Sequence, residues 1–512
     1  MNKIISRRKF LKKSGLAIST IAICACSAQQ NSIAAAPKAK PNIILFLTDD
    51  QGWTDTSVQM MKDRPDSKSD FYQTPALERL AKDGMIFSSA YSPAPTCTPT
   101  RTSLQFGKSP ARLRQTVVHD VLAKQNGWDC KDEITIGQMI KKIDPSYATA
   151  HLGKWGIDVL RTPEKAGYDV TDGNTNNGEG DWLVHMKKPL PDDDPKRIFS
   201  VTKRANDFME AQAKAQNPFF MQISHYAVHV SNFARKKTIE KYLKLPRGQK
   251  CIDSDYKQPY PNRNSWMMNY AAMIEDLDTG LAMVLDKVQS LGIKDNTYII
   301  FISDNGGGFR DNKPLKGGKA NLWEGGLRVP MVVAGPDVPK NTYCDEPVVG
   351  WDLYPTFSEL AGNNKSLPKE YDGGSLCDLF KKGNDGKVKR GTQELIFHFP
   401  WYAGTLPMST IRDGDYKLAM NLLNKEYRLY NLAKDIGEEN DISGKYPTIA
   451  KKLHSKLENY LKEVQAEDLQ EMYAARIKEL HGYMEKDAND PEALKRHQNG
   501  LDQVKRSQSQ KW

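Results

Sequence analysis

The sequence predicts an α/β fold built on a large, mostly parallel sheet with helices on its faces. Short apolar, β-branched segments stop abruptly at polar residues, and helix-like segments such as residues 74–84 and 268–292 lie between them. This alternation is typical of parallel sheets, because each parallel connection needs a long crossover. The 512 residues, 39% of them hydrophobic, suffice for a sizeable core divided among about two to four domains.

Four predicted strands deliver polar residues to their carboxyl ends. They are residues 41–52, ending at Asp49 and Asp50; 146–156, ending near Lys154; 217–229, with His225 and His229 just past the strand; and 296–307, ending at Asp304 and Asn305. Ligands of open α/β sheets bind beyond the carboxyl ends of the strands. Because all four ends are polar, we expect one shared site at this edge.

A different pattern begins near Glu394. Residues 409–432 alternate as antiparallel strands with a turn at Gly414, and a helix after Pro447 is expected to pack on this small sheet. The expected buried face comprises Ile449, Leu453, Leu457, Leu461 and Val464. We therefore predict a main α/β domain over 37–393, a smaller antiparallel-sheet-plus-helix subdomain over 394–467, and a charged, helical tail over 468–512.

The first 36 residues are typical of a twin-arginine export signal. Arg7 and Arg8 precede a short apolar run that cannot span a bilayer. Residues 32–36 offer a small-residue cleavage site, whereas Cys26 could instead carry a lipid. No other segment is long and apolar enough for a transmembrane helix, so a periplasmic or secreted protein, free or lipid-anchored, is expected.

Charge and cysteine content restrict the kinds of partner, metal site and disulfide that the sequence allows. The formal net charge is +10, but six basic residues of the leader account for most of it, and no basic block argues for nucleic acid. Of the 7 cysteines, five lie beyond the leader: Cys97, Cys130, Cys251, Cys344 and Cys377. Their wide, irregular spacing matches neither a zinc site nor a disulfide scaffold, and permits at most one or two bridges.

Acidic and amide side chains at two strand ends indicate a metal ion. Brought together without a cation, Asp49, Asp50 and Asp304 would repel one another. An all-oxygen set that includes Asn305 suits calcium first and magnesium second. Each acidic pair alone would more often be a helix cap or a turn; the metal hypothesis depends on their occurring together.

Cys97 stands in the sequence Cys97-Thr98-Pro99-Thr100-Arg101, which favours the start of a helix. The helix dipole favours an anion there, and Arg101 lies on the same helix face. A thiolate nucleophile is one interpretation, yet no Cys-His-Asn protease signature accompanies it, and a soft thiolate matches poorly with a hard, oxygen-bound cation.

This pentapeptide resembles the C-x-P-x-R signature of the formylglycine-dependent (type I) sulfatases of the alkaline-phosphatase-like superfamily. The similarity continues, in family order, through FLTDDQG, HLGKWG, PFFMQISHYAVH, SDNGG, GGKANLWEGGLRVP and RDGDYKL…LYNL, from about Pro41 to Asn440. It implies a large mixed sheet with a smaller C-terminal subdomain, and hydrolysis of a sulfate ester, expected on a carbohydrate. It also implies a partner, the maturase that oxidises Cys97 to formylglycine (3-oxoalanine).

The resemblance assigns a role to each matching residue. Asp49, Asp50, Asp304, Asn305 and the modified Cys97 would bind Ca²⁺. The hydrated aldehyde of residue 97 would attack sulfur through one hydroxyl and later expel sulfate through the other. Arg101 would stabilise that diol, Lys154 and Lys319 would hold the sulfate oxygens, and His229 would protonate the leaving oxygen or help bind sulfate.

One position departs from the family pattern. The family often has GKWH where this chain has Gly156, so a histidine beside the formylglycine is missing; His225 or His119 are the candidates to replace it. Trp182, Trp401 and the loop 172–180 are candidates for sugar contact. The alternatives are a phosphatase or phosphodiesterase of the same superfamily and a non-catalytic protein that binds sulfated glycans.

Overall fold

The computed structural model of the protein describes residues 40–118, 122, 132–157, 162–180, 190–247, 263–308, 312–365, 367–401, 405–509 and 512. The predicted export signal lies outside the described residues, as do His119, Cys130, Trp182 and Cys251.

The elements of the first part of the chain supply the main sheet and its helices. The strands are β1 (Asn42–Thr48), β2 (Met85–Phe87), β3 (Ala90–Tyr91), β4 (Ala148–Gly153), β5 (Val170–Thr171), β6 (Phe219–Ser224), β7 (Thr297–Ser303), β8 (Met331–Ala334), β9 (Thr342–Cys344) and β10 (Val348–Val349). The helices are α1 (Pro75–Lys82), α2 (Cys97–Phe106), α3 (Pro110–Leu113), α4 (Ile136–Ile143), α5 (Ile198–Ala215), α6 (Lys236–Leu243), α7 (Arg263–Ser290), α8 (Glu324–Leu327), α9 (Leu353–Leu360) and α10 (Cys377–Lys382).

The main sheet has eight strands in the order β5-β4-β6-β1-β7-β8-β2-β9. Strand β1 pairs in parallel with β6 and β7, and β4 pairs in parallel with β6. Only β8 runs antiparallel to its neighbours, β7 and β2. The predicted mixed, mostly parallel sheet is therefore confirmed.

Helices cover both faces of this sheet, as the uniformly apolar sequence of β1 requires. Ile44 and Phe46 belong to a core cluster with residues of α1, α5 and α7, whereas Ile43, Leu45 and Leu47 belong to another with residues of α2, α4 and α9. The result is a three-layer α/β/α arrangement. The strand order places the carboxyl ends of β4, β6, β1 and β7 side by side, so the four polar ends meet at one edge.

The C-terminal part forms a second sheet of four antiparallel strands, ordered β11 (Leu395–Phe399), β12 (Met408–Asp413), β13 (Tyr416–Asn421) and β14 (Tyr427–Asn431). Gly414 makes the tight β12–β13 turn with a φ of 57°. The predicted antiparallel sheet is confirmed.

Three helices follow: α11 (Pro447–Glu463), α12 (Leu469–Lys486) and α13 (Pro491–Gln508). The buried residues of α11 are Ala450, Leu453, Leu457 and Tyr460, whereas Ile449 and Leu461 of the predicted face are only partly buried. Helices α12 and α13 contribute Met472, Leu480 and Val504 to the same core. The domain boundaries at 393/394 and 467/468 stay predictions.

No helix among the described residues is long and apolar enough to cross a membrane. Cys97, Cys344 and Cys377 are buried free thiols in the described part of the chain.

Candidate active site

Two carboxylates lie where β1 ends. Asp49 and Asp50 are 0% and 4% exposed, and Asp50 has a φ of 62° in the left-handed region. Such a conformation costs about 1–2 kcal/mol for a non-glycine residue, although Asp tolerates it better than most. Bonds from Asp50 N to Asp304 Oδ1 (3.2 Å) and from Gln51 N to Ser303 Oγ (3.0 Å) hold this turn against the end of β7. The turn is thus built by contacts between β1 and β7.

Three cationic side chains contact three carboxylates. Lys154 Nζ lies 2.5 Å from Asp49 Oδ2, Arg101 Nη2 lies 2.8 Å from Asp304 Oδ2, and Lys319 Nζ lies 2.7 Å from Asp50 Oδ1. All six side chains are at most 12% exposed, so solvent screens these pairs weakly. The positive charges of this cluster balance its carboxylates.

These contacts keep two of the carboxylates ionised. Burial alone would raise the pKa of Asp49, but Lys154, His229 and Arg101 hold that pKa below its usual value. Burial would also raise the pKa of Asp50, but the positive charge of Lys319 outweighs this effect, so that the pKa of Asp50 is lowered as well. The third differs: burial, together with the negative charge of Asp49, raises the pKa of Asp304 to about 6.

Cys97 is the first residue of α2 and is 4% exposed. Burial lowers the pKa of Lys319, whereas Asp50 and, after it, Cys97 raise it. Cys97 also raises the pKa of Lys154 and of Arg101, although burial and the carboxylate partners of these residues have larger effects. The structure therefore brings Cys97 within electrostatic range of all three cations of the acidic cluster.

The segment that carries Lys319 is joined to the Cys97 segment through the backbone. Ala320 N donates to Pro95 O at 2.8 Å, and Lys319 N donates to Gly307 O at 2.9 Å. Lys319 thereby contacts Asp50 from a loop that is bonded both to the segment before α2 and to the segment after β7.

The oxygen-rich cluster fits a divalent cation. Asp49 Oδ1 and Asn305 Oδ1 are buried oxygens without a hydrogen-bond partner, although buried polar atoms rarely lack one. Asn305 Nδ2 donates to Asp50 Oδ1 at 2.9 Å, which turns the amide oxygen away from Asp50 and leaves it available. One ligand atom from each of Asp49, Asp50 and His229 lies within 4.8 Å of the others. Carboxylate and amide oxygens are the donors that Ca²⁺ prefers.

His229 lies beside the oxygen-rich cluster. Its Nδ1 lies 2.5 Å from the carbonyl of Val230, which can only accept, so Nδ1 carries the proton and Nε2 presents a lone pair. Nε2 lies 3.9 Å from Asp50 Oδ2. Burial, with Lys319 adding to it, lowers the pKa of His229 to about 4. A neutral ring with Nε2 as acceptor is the form that this surrounding favours.

Gly156 occupies the position where a histidine is missing. Its φ is 66°, and a Cβ atom placed there would lie 3.1 Å from Arg101 Cδ and 3.1 Å from Lys154 Cε. The backbone after Lys154 therefore approaches two of the site's cations closely, and a side chain at this position would be strained. The local geometry thus favours the glycine that this chain has in place of the family's usual histidine.

The loop 172–180 supports this segment, a role that the sequence analysis missed. Thr175 Oγ1 donates to Gly153 O and accepts from Trp155 N, and Asp172 Oδ2 accepts from Gly153 N at 2.7 Å. These bonds fix the backbone on both sides of Lys154. Loop composition alone carried no signal that distinguished Thr175 and Asp172 from solvated connection residues.

Two further candidates, His225 and Trp401, pack against aromatic rings. His225 is 0% exposed, its ring lies 4.7 Å from that of Phe46, and burial lowers its pKa to about 3. It thus sits in the apolar core beneath the site. Trp401 is partly buried, and its ring stacks on Phe399 at 5.4 Å. Sugar contact by Trp401 stays a prediction.

Comparison with known proteins identifies the family. The model of the Sulfatase family matches residues 41–363, and that of the N-sulphoglucosamine sulphohydrolase C-terminal region matches residues 318–466. The chain belongs to the sulfatase family. The protein is accordingly a sulfatase enzyme of the alkaline-phosphatase-like superfamily, as the sequence predicted.

Relatives of this sulfatase match over most of their length. A sulfatase of Formosa agariphila is 28% identical over 82% of this chain and 89% of its own, and an ulvan-active sulfatase of the same organism is 27% identical over 83% and 82%. The crystal structure of Ps i-CgsB in complex with k-i-k-neocarrahexaose superposes with a TM-score of 0.67 at 25% identity, covering 82% of this chain and 93% of that one.

Proposed function

We propose that this sulfatase removes sulfate from a sulfated carbohydrate, using formylglycine generated from Cys97 and a bound calcium ion. Two relatives support the carbohydrate: one is named as ulvan-active, and one structure holds a neocarrahexaose. The observation that carries the proposal is the pair of contacts that tie the Cys97 segment to the acidic cluster. Arg101, on the helix that Cys97 begins, lies 2.8 Å from Asp304 Oδ2, and Pro95 O accepts from Ala320 N, next to Lys319, at 2.8 Å.

Charge balance supports a divalent cation in this proposal. Three carboxylates and three cationic side chains leave the cluster with no surplus of positive charge to attract an anionic ester. Asp49, Asp50, Asp304 and Asn305 would hold Ca²⁺, with residue 97 contributing oxygen once it is oxidised. The bound ion and the formylglycine would supply, respectively, positive charge beside the ester and an oxygen nucleophile.

The chain's own side chains would position the substrate. The ammonium groups of Lys154 and Lys319 contact Asp49 and Asp50, and both interact electrostatically with residue 97. From these positions the two lysines would hold the sulfate oxygens. Arg101 fixes the orientation of Asp304 and, through its bond to Lys154 O at 2.7 Å, the start of the Lys154 segment. In the neutral form of the ring, His229 Nε2 would accept a hydrogen bond near the ester oxygen. A role as proton donor would require a proton on Nε2 as well, and it stays a prediction.

We also propose export before action. The twin-arginine pattern at Arg7 and Arg8 is typical of a route that carries folded proteins, so oxidation of Cys97 and metal loading would precede translocation to the periplasm or the exterior. Blocking only that route should retain the protein in the cytoplasm; normal secretion would contradict the proposal.

Mass spectrometry of the Cys97 peptide tests the nucleophile. After co-expression with a maturase, we expect a mass lower than that of the thiol peptide by the sulfur-to-oxygen exchange and loss of two hydrogens. The Cys344 peptide is the internal control, because that thiol is equally buried but lies in no matching motif. An unmodified Cys97 together with tight glycan binding would favour the non-catalytic alternative.

Matched esters test the reaction. We expect the matured protein to hydrolyse an aryl sulfate and a sulfated oligosaccharide, and to act at least about 100-fold more slowly on the aryl phosphate of the same alcohol. Equal rates would favour the phosphatase alternative. Chelation should abolish activity and lower the melting temperature, and Ca²⁺ should restore both better than Mg²⁺.

A further inference from the structure

A second charged cleft lies outside the active site and encloses about 700 Å³. It is formed by the end of α9, the segment that follows it, and residues 387–391. Its cationic lining residues are Lys365, Lys369, Lys382, Lys387, Lys389 and Arg390. Nothing in the sulfatase mechanism uses these side chains.

Four of these cations are available to a ligand. Lys382 pairs with Asp378 at 2.8 Å, and Arg390 pairs with the buried Asp352 at 2.6 Å. In contrast, the lysines at 365, 369, 387 and 389 are exposed and form no ion pair with any residue that the structure describes. The unpaired positive charge is therefore concentrated on one concave surface.

Two buried carboxylates, Asp352 and Asp372, hold the backbone behind the cleft. Asp352 Oδ1 binds Arg390 Nε at 2.8 Å and Gly374 N at 3.0 Å, so it ties the two walls of the cleft together from below. Asp372 pairs with Arg112 at 2.9 Å, and its own N donates to Gly107 O at 3.1 Å. Walls that are fixed before binding reduce the ordering cost of a ligand.

The rest of the lining suits a hydroxyl-rich ligand better than a uniform row of phosphates. Glu359 and Asn364 are exposed in the cleft and can accept hydrogen bonds from hydroxyl groups. Tyr371 also lines it, with its ring stacked 5.3 Å from that of Tyr354 and so held in place. Lysines combined with acceptors and an immobilised aromatic ring are the groups that an anionic sugar chain needs.

The cleft is far from the acidic cluster. Lys40, just before β1, donates from Nζ to Ala361 O at 3.2 Å, so the end of α9 lies beside the amino end of β1. Asp49 and Asp50 follow the carboxyl end of the same strand. A seven-residue strand spans about 23 Å. The cleft and the acidic cluster thus lie at opposite edges of the main sheet.

We propose that this cleft is a non-catalytic binding site for a polyanionic glycan chain, which would keep the enzyme on a polymeric substrate between turnovers. That the anionic groups are sulfates of a glycan rests on the proposed function. That the cleft binds an anionic chain does not depend on it. A ligand held at both sites would gain apparent affinity through effective concentration.

The test uses full-length protein with Cys97→Ser to prevent turnover, and dextran sulfate as the probe. Lys365, Lys369, Lys387 and Lys389 are changed together to Gln. The matched control changes Lys451, Lys452, Lys478 and Lys495 to Gln, because these lysines are also exposed and the change in net charge is equal. We expect the cleft variant to bind dextran sulfate roughly tenfold more weakly than the control, and unmodified dextran to bind neither.

Activity provides the second readout, with Cys97 intact. The cleft variant should hydrolyse a small aryl sulfate at the parental rate while its kcat/KM on a polymeric substrate falls severalfold. Equal affinity of the cleft and control variants for dextran sulfate would overturn the proposal. Displacement of bound dextran sulfate from the cleft by duplex DNA or by anionic vesicles, at equal charge concentration, would also overturn it. Loss of aryl sulfate hydrolysis in the parent would instead contradict the proposed function, and the binding comparison would still stand.

Discussion

The guanidinium group of Arg101 contacts both the carboxylate of Asp304 and the backbone of Lys154. Its Nη2 lies 2.8 Å from Asp304 Oδ2, and its Nη1 donates to Lys154 O at 2.7 Å. A single side chain from α2 thus fixes groups that follow β7 and β4. The planar fork of Arg can make both contacts at once, and the single ammonium group of Lys cannot.

Arg101→Lys should therefore lower kcat/KM by roughly 100-fold or more although the charge is kept, because Asp304 and the Lys154 backbone lose their common partner. Steady-state hydrolysis of an aryl sulfate by matured protein measures it. Arg79→Lys, at an exposed pair with Asp286, is the control and should change activity by less than twofold. Near-parental activity of Arg101→Lys would show that charge alone matters.

Gly156→His, which restores the usual residue of the family, should reduce activity. The left-handed φ of 66° and the two 3.1 Å contacts would displace Arg101 or Lys154, at a cost of about 1–3 kcal/mol in the free energy of unfolding. Gly292→His is the matched control: the φ is also 66°, but nothing lies within 4 Å of a Cβ there. Chemical denaturation and kcat/KM are measured for both. Higher activity of Gly156→His than of the parent would contradict the interpretation that the backbone at this position has no room for a side chain.

Some of this site could be predicted from the sequence and some could not. Asp49, Asp50 and Asp304 were predictable because each follows an unmistakable apolar strand, and parallel strands align their carboxyl ends. Thr175 was not predictable, since its contact with Gly153 depends on how a loop folds back over β4. The buried state of His225 was also hidden, because a residue just past a strand can point to the site or to the core.

Nor did the sequence reveal how the C-terminal sheet supports the Lys319 loop. Lys417 of β13 lies 2.9 Å from Glu324 and 2.8 Å from Glu438, and Glu438 Oε2 accepts from Glu324 N at 2.7 Å. All three side chains are at most 2% exposed. Glu324 begins α8, directly after the loop that carries Lys319. This buried charge cluster connects residues that are separated by about a hundred positions, which no local pattern records.

Lys417→Met should destabilise the protein by about 3–5 kcal/mol, because it leaves two buried carboxylates without their shared cation. Burial, which outweighs the nearby Lys417, raises the pKa of Glu438 to about 7. Adding Glu438→Gln to the first change should therefore recover part of the loss. Calorimetric melting measures it, with Lys203→Met at the exposed pair with Asp207 as the control, expected within about 0.5 kcal/mol of the parent. A melting temperature of Lys417→Met equal to that of the control would contradict the role of the cluster.

Asp278 gives a pH dependence that can be tested away from the active site. The residue is 6% exposed on α7, and its carboxylate accepts from the backbone N of Ala76 (2.8 Å) and of Leu77 (2.9 Å) at the start of α1. Burial raises its pKa to about 7, above its usual value of 3.8, although the two backbone bonds oppose that effect. The folded state therefore holds this proton over a pH range where the unfolded chain has released it.

Between about pH 4 and pH 7 this group lowers the free energy of unfolding as the pH rises, by up to about 4 kcal/mol in total. Asp278→Asn should remove that slope, since the amide does not ionise and its oxygen can still accept from the start of α1. The free energy of unfolding of the variant should be lower than that of the parent at pH 4 and higher than that of the parent at pH 8. Urea denaturation at both pH values measures the difference, and Glu485→Gln, at an exposed position of α12, should leave the slope unchanged. Parallel pH profiles for the parent and Asp278→Asn would show that the carboxylate is already ionised in the folded protein.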